Sequence, residues 1–205
     1  MDYRNIINLD HKNPIAQRYL RFWRPVTNFL ARKKINPNTL TIFGAVLVLA
    51  AGFFIYQGKL ITGVIILLFG VQFDALDGTV ARLQNRTTRF GAYLDSLLDR
   101  YAEVIIFLAI YFYYFDQLAD WQSLIFWLAL TGSLLVSYSR ARSEGLGIKC
   151  EIGLMQRAPR IIILIIVITL ASWISLNTVT WLMLILAVFS HFTVIQRSLH
   201  LAKNR

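Results

Sequence analysis

The stretch Asp74-Ala75-Leu76-Asp77-Gly78-Thr79-Val80-Ala81-Arg82, followed after eight residues by Gly91-Ala92-Tyr93-Leu94-Asp95-Ser96-Leu97-Leu98-Asp99, sets four aspartates at the ends of two long apolar runs. Asp74 and Asp77 are three apart and Asp95 and Asp99 four apart, so on helices each pair shares one face. The short turn through Asn85 makes the two helices antiparallel neighbours, and the pairs then face each other at similar depth. An aspartate inside a membrane span costs roughly 2.5–3.5 kcal/mol, so four uncompensated ones would cost about 10 kcal/mol, as much as a whole domain's stability. Arg82 and Arg100 offset part of that charge. Facing carboxylates suit two hard divalent cations, which take oxygen ligands, and Mg²⁺ combines carboxylates with substrate phosphates. The pattern therefore points to metal ions and a phosphorylated ligand. Gly78 costs up to about 1 kcal/mol relative to alanine inside a helix, and either a ligand near the backbone or helix packing accounts for it. Ala81 and Gly91 are expected to keep the helix pair close.

Outward from this stretch the chain stays apolar. Its 205 residues are 57% hydrophobic and 16% charged, against roughly 25% charged in a soluble domain, which places it in the membrane class. Six apolar stretches, near 39–57, 60–83, 90–114, 121–142, 158–175 and 178–199, are long enough to span a bilayer, which takes about 20 residues each. The expected fold is an all-α integral membrane protein with six transmembrane helices, preceded by an N-terminal amphipathic juxtamembrane helix. Residues 1–38 form the leader and 39–205 the transmembrane domain.

Basic residues set the orientation. The leader holds Arg4, Lys12, Arg18, Arg21, Arg24, Arg32, Lys33 and Lys34, while Arg86, Arg89, Lys149, Arg157, Arg160, Lys203 and Arg205 follow on the same side. Only Lys59 falls on the other. Both termini and the aspartate cluster are therefore expected at the cytoplasmic face of the cell membrane. In 15–34, Tyr19, Leu20, Phe22, Trp23, Val26, Phe29 and Leu30 supply an apolar face among the arginines. Such a helix lies in the headgroup plane, and the same charges also serve as a topology signal. Asn36-Pro37-Asn38-Thr39 offers an N-cap to the first span.

The formal net charge of +10 admits nucleic acid, an anionic membrane surface or an anionic substrate, and the long apolar runs favour the last two over nucleic acid. A single cysteine, Cys150, excludes an internal disulfide framework. The first 38 residues lack the apolar core of a cleavable signal peptide. His11 is expected at the interface, and His191 is expected as a hydrogen-bonded structural residue. A transporter or channel would spread its carboxylates along the membrane depth, whereas these cluster at one end.

The pattern Asp74-x2-Asp77-Gly78-x2-Ala81-Arg82-x8-Gly91-x3-Asp95-x3-Asp99 resembles the full signature of the CDP-alcohol phosphotransferase family, with every fixed residue present at the family's spacing. The resemblance implies a metal-dependent transferase that moves a phosphatidyl-type group from a CDP-linked lipid to an alcohol and releases CMP. It implies that Asp74, Asp77, Asp95 and Asp99 hold two Mg²⁺ or Mn²⁺ ions, with Asp99 also the general base. Gly78 would let the cytidine approach, and Ala81, Arg82 and Thr88 would lie along the nucleotide. Asn38 and Thr41 resemble the family element that lines the nucleotide site. A homodimer is implied as well.

A second constellation, Ser137-Tyr138-Ser139-Arg140-Ala141-Arg142-Ser143-Glu144, resembles a segment of the phosphatidylinositol-phosphate and archaetidylinositol-phosphate synthases, with Arg140 where lysine is commoner. Gln156-Arg157-Ala158-Pro159-Arg160 and Gln196-Arg197 resemble two further elements, with Gln156 departing from glutamate. Arginines suit phosphate recognition, so Ser137, Arg140, Arg142, Arg157, Arg160 and Arg197 are expected to meet an acceptor that already carries phosphate. Inositol-1-phosphate fits the resemblance, and glycerol-3-phosphate, also anionic, stays open. Glu103, one turn past Asp99, is expected to orient Arg100 or the base.

Overall fold

The computed structural model describes residues 14–203. Arg4, His11, Lys12 and Arg205 lie outside the described residues, as do all of residues 1–13 of the leader. Among the described residues all regular structure is helical: α1 (Pro14–Arg32), α2 (Pro37–Tyr56), α3 (Leu60–Leu83), α4 (Arg89–Tyr114), α5 (Asp120–Gly145), α6 (Arg157–Leu170) and α7 (Leu176–Lys203), with a 3-10 turn at Phe115–Gln117.

Four of these, α2, α3, α5 and α7, are long and apolar enough to cross a membrane. Their exposed faces are apolar too, with Ile42, Leu49, Phe69, Leu124, Trp181 and Val188 outside. A helix that is hydrophobic all round belongs in an apolar surrounding, and this is a membrane protein. α4 has the length, at 26 residues, but carries Arg89, Asp95, Asp99, Arg100 and Glu103. α6 has 14 residues, which at about 1.5 Å per residue falls well short of a hydrocarbon core of about 30 Å. The apolar run expected to reach residue 175 turns at its end, where the N–H groups of Trp173 and Ile174 both meet the Leu170 carbonyl at 2.8 and 3.0 Å. Ser175 then caps α7, its hydroxyl accepting from the Thr178 N–H at 3.3 Å.

The chain forms two compact units. The first comprises residues up to Ala50 together with Ile65–Ala102. Here Pro37 opens α2, and Asn36 accepts a hydrogen bond from the Asn38 N–H at 3.0 Å, the expected cap. α2 and α3 approach through glycines: a methyl on Gly44 would lie 3.0 Å from the Gly70 carbonyl oxygen, and one on Gly70 3.1 Å from that of Gly44. The Gln84 amide donates to the Ile35 carbonyl at 2.9 Å and ties the α1–α2 linker to the end of α3. Thr27 of α1 is buried, while Phe22 and Phe29 are exposed.

The second unit comprises Ala51–Val64 and Glu103 onward. α5 and α6 both pack on α7. A methyl on Gly132 would lie 3.0 Å from Ser190 Cβ and 3.1 Å from the His191 ring, so α5 and α7 meet through small residues. His191 Nε2 lies 3.3 Å from the Leu128 carbonyl oxygen, the structural role expected of it.

Candidate active site

The turn between α3 and α4 is tight. Asn85 adopts the left-handed conformation at φ 53°, and the Arg86 N–H bonds to the Ala81 carbonyl at 2.9 Å. Thr88 caps α4, its hydroxyl accepting from the Gly91 N–H at 2.9 Å. Helix phase then does the rest. One carboxylate oxygen from each of Asp74, Asp95 and Asp99 lies within 4.8 Å of the others. Asp99 is buried and the other two are half-buried. Arg100 Nη2 stands 3.4 Å from Asp99 Oδ2.

Asp77 stands apart from this trio. It is buried, and the Thr41 hydroxyl donates to its Oδ2. The trio fits a divalent cation on its own: oxygens bound to one ion at about 2.0–2.6 Å are at most about 5 Å apart. Three acidic oxygens gathered this closely in a largely apolar chain are the donor set such an ion takes.

Beside the carboxylates a cavity of about 260 Å³ is lined by Asn38, Thr41, Asp77, Gly78, Arg82 and Thr88, with Ala81, Gly91 and Asp95 also on its wall. Gly78 faces open space: a methyl there would meet only Arg82 Nη1, at 3.8 Å. Its smallness therefore serves the cavity and not helix packing. Gly91 differs from expectation. A methyl on it would lie 3.0 Å from both Asn38 Oδ1 and Thr88 Oγ1, so its size accommodates those cavity residues. Arg82 turns along the wall, with Nη2 3.4 Å from Thr79 Oγ1. Arg86 lines the same cavity and was read from sequence only as a topology charge. Its position in the short connection between the motif's halves was the available signal.

In the second unit the basic residues fall into separate settings. Arg160 is buried with Ser137 3.1 Å from its Nη2, and its Nε lies 2.9 Å from Glu103 Oε1. Glu103 thus pairs with an arginine 57 positions along the chain. Arg197, also buried, donates from Nε to the Ile152 carbonyl at 2.9 Å and from Nη1 to that of Val136. Arg142 and Arg197 share a cavity of about 270 Å³ with Tyr138, Ser139 and Ser143. Arg140 is exposed and bonds to Glu144 at 2.8 Å, and Arg157 is half-buried at the start of α6.

A family model described as CDP-alcohol phosphatidyltransferase matches residues 34–194. The chain belongs to the CDP-alcohol phosphatidyltransferase family. Accordingly it is a transferase of phospholipid synthesis. An archaetidylinositol phosphate synthase from Methanothermobacter thermautotrophicus is 37% identical over 196 residues, covering 94% of this chain and 93% of that protein. A phosphatidylinositol phosphate synthase from Streptomyces avermitilis is 34% identical over 193 residues, covering 87% of this chain and 77% of that one. The crystal structure of Mycobacterium tuberculosis phosphatidylinositol phosphate synthase with CDP-DAG bound superimposes with a TM-score of 0.80 at 29% identity, over 88% of this chain and 94% of that chain. The same enzyme with manganese and citrate gives 0.77 at 30% identity, over 86% and 87%. The family's signature positions in this phosphatidyltransferase are the residues that build the carboxylate trio and the cavity beside it.

Proposed function

We propose that this phosphatidyltransferase moves a phosphatidyl-type group from a CDP-linked lipid to inositol-1-phosphate, releasing CMP. The observation that carries the donor half is the convergence of Asp74, Asp95 and Asp99 beside a cavity walled by Asp77, Gly78 and Arg82. In this reading Asp74, Asp77, Asp95 and Asp99 hold two Mg²⁺ or Mn²⁺ ions. When bound, such ions supply charge neutralisation at the pyrophosphate and at the leaving oxygen. The cytidine enters over Gly78, where only the Arg82 side chain comes near. Asn38, Thr41, Ala81, Arg82 and Thr88 line its course. Asp99 accepts the proton of the acceptor hydroxyl. The acceptor oxygen then bonds to the β-phosphorus, the bond from that phosphorus to the CMP oxygen breaks, and CMP departs. A carboxylate near cations is a weak base, so Asp99 works through placement more than basicity.

The acceptor half draws support from the named relatives and from the cationic ground of the second unit. Ser137, Arg140, Arg142, Arg157, Arg160 and Arg197 supply hydroxyl and guanidinium donors for the phosphate. The wider arrangement belongs to the same proposal. α4 and the stretch 158–175, in which the turn after Leu170 extends α6, complete six spans, and α1 lies in the headgroup plane. Residues 1–38 form the leader and 39–205 the catalytic domain. Both termini and the active site face the cytoplasm, and the enzyme works as a homodimer.

The test is CMP release by the purified protein in lipid, with a CDP-lipid, Mn²⁺ or Mg²⁺ and one acceptor at a time. Inositol-1-phosphate is expected to give the highest kcat/KM, ahead of glycerol-3-phosphate and unphosphorylated inositol. A preference for glycerol-3-phosphate would move the acceptor assignment, and release with inositol alone would remove the phosphate-binding role of the arginines.

A further inference from the structure

The second unit holds a buried ion pair in which the reaction above gives Arg160 a task but Glu103 none. Arg160 is 1% exposed and sets Nε 2.9 Å from Glu103 Oε1 and Nη2 3.5 Å from Oε2. Glu103 also accepts a hydrogen bond from the Ser133 hydroxyl. The remaining edges of the guanidinium meet Ser137 Oγ at 3.1 Å and the Met155 carbonyl at 3.2 Å. Ser137 is half-buried, so the cluster's outward edge is the hydroxyl beside Arg160. A buried arginine needs an anion close by, and here the protein provides one itself.

We propose that Glu103 is the internal counter-charge that sets how tightly the enzyme holds the phosphate of its acceptor, acting through Arg160 as a specificity-determining residue. The idea rests on the acceptor reading given above. A phosphate approaching Arg160 meets a cation whose charge is already balanced and a carboxylate that repels it. Glu103 and the phosphate are alternative anions for one guanidinium. The device has a use. The lipid product keeps the acceptor's phosphate, so a site that gripped phosphate with uncompensated arginine would retain its product, and binding substrate and product alike adds nothing to turnover.

Glu103→Gln tests this in the full-length protein. Glutamine keeps the shape and an acceptor for Nε but removes the charge. The probes are inorganic phosphate as an inhibitor of CMP release and a phosphorylated alcohol as acceptor. The inhibition constant for phosphate and the acceptor KM are expected to fall about tenfold, the order for removing one charge a few ångströms away at partly screened depth. The KM for CDP-lipid stays at the wild-type value, and kcat falls as product release slows. Arg160→Gln raises both constants, and the double variant shows no tightening. Glu103→Asp, whose shorter side chain loosens the grip while keeping the charge, shifts phosphate binding the same way by a smaller factor. It decides the matter if the glutamine variant cannot be recovered. A packing role alone would lower the melting temperature without tightening phosphate. Unchanged or weaker phosphate binding in the Glu103 variants overturns the proposal while leaving the acceptor site standing. A wild type indifferent to inorganic phosphate and to phosphorylated acceptors overturns both.

Discussion

The Thr41 hydroxyl of α2 donates to Asp77 of α3, and so holds the one signature aspartate that stands outside the carboxylate trio. The bond is local to the point where α2 and α3 run close, with Gly44 and Gly70 bringing their backbones together nearby. Thr41 and Asp77 both line the cavity, so a change at either is felt there.

Thr41→Val keeps the shape and removes the donor. Leaving a buried carboxylate short of a partner costs about 1–3 kcal/mol, and the cheapest escape is for Asp77 to turn away from the wall. The KM for CDP-lipid is expected to rise about tenfold, the kinetic equivalent of roughly 1.4 kcal/mol, with the acceptor KM unchanged. Steady-state CMP release with each substrate varied checks it. A melting temperature that falls while the donor KM holds would assign Thr41 to folding alone.

Asp99→Asn keeps an oxygen where the carboxylate was and removes its basicity. Loss of a positioned general base costs about 10²–10⁴ in rate, so kcat is expected to drop by that range. Asp95→Asn should instead raise the Mn²⁺ concentration needed for half-maximal activity. Full turnover by the Asp99 variant would strip it of the base role and leave it a metal ligand.

The helix pair α3–α4 was legible because its evidence is local. Spacings of three and four fix the helical face, and a left-handed Asn85 in a short connection forces the antiparallel return. The end of α6 was not legible in the same way. Hydropathy continues past Leu170, but a hydrogen-bonded turn stops the helix there, and composition does not register hydrogen bonds. Separation along the chain explains the remainder. Phase alone places Asp77 with Asp74, and its bond from Thr41, 36 residues earlier, was not legible from spacing. That Arg160 and Arg197 also have partners within the fold was not legible, because those partners, Glu103 and the carbonyls of Val136, Ile152 and Met155, are distant in sequence or belong to the backbone.

Gly153 shows how the second unit depends on that backbone. Its φ is +123°, and a methyl on it would overlap Thr193 Cγ2. Around it the Ile152 and Met155 carbonyls accept from Arg197 and Arg160 at 2.9 and 3.2 Å, and the Met155 N–H donates to Thr193 Oγ1 at 3.0 Å. Gly153→Ala is expected to cost about 1–3 kcal/mol in backbone strain, before the clash is counted. The melting temperature falls and the acceptor KM rises, while the KM for CDP-lipid stays put. A rise in the donor KM of similar size would mean that the loop serves general stability.

Gly78 offers the cleanest separation of cavity from packing, because two substitutions at one position pull in opposite directions. A methyl there has only Arg82 Nη1 within reach, at 3.8 Å, so Gly78→Ala fits without displacing the backbone. Alanine is favoured over glycine inside a helix by about 1 kcal/mol, and the variant is expected to match or exceed the wild-type melting temperature. Gly78→Leu extends into the cavity of about 260 Å³ and fills space that the nucleotide would occupy. Its melting temperature should stay near wild type while the KM for CDP-lipid rises at least about tenfold, the cost of losing roughly 1.4 kcal/mol of binding. The acceptor KM is untouched in both. If glycine were there to let helices touch, alanine would already destabilise the protein, so a large drop in melting temperature for Gly78→Ala is the result that would reject this assignment.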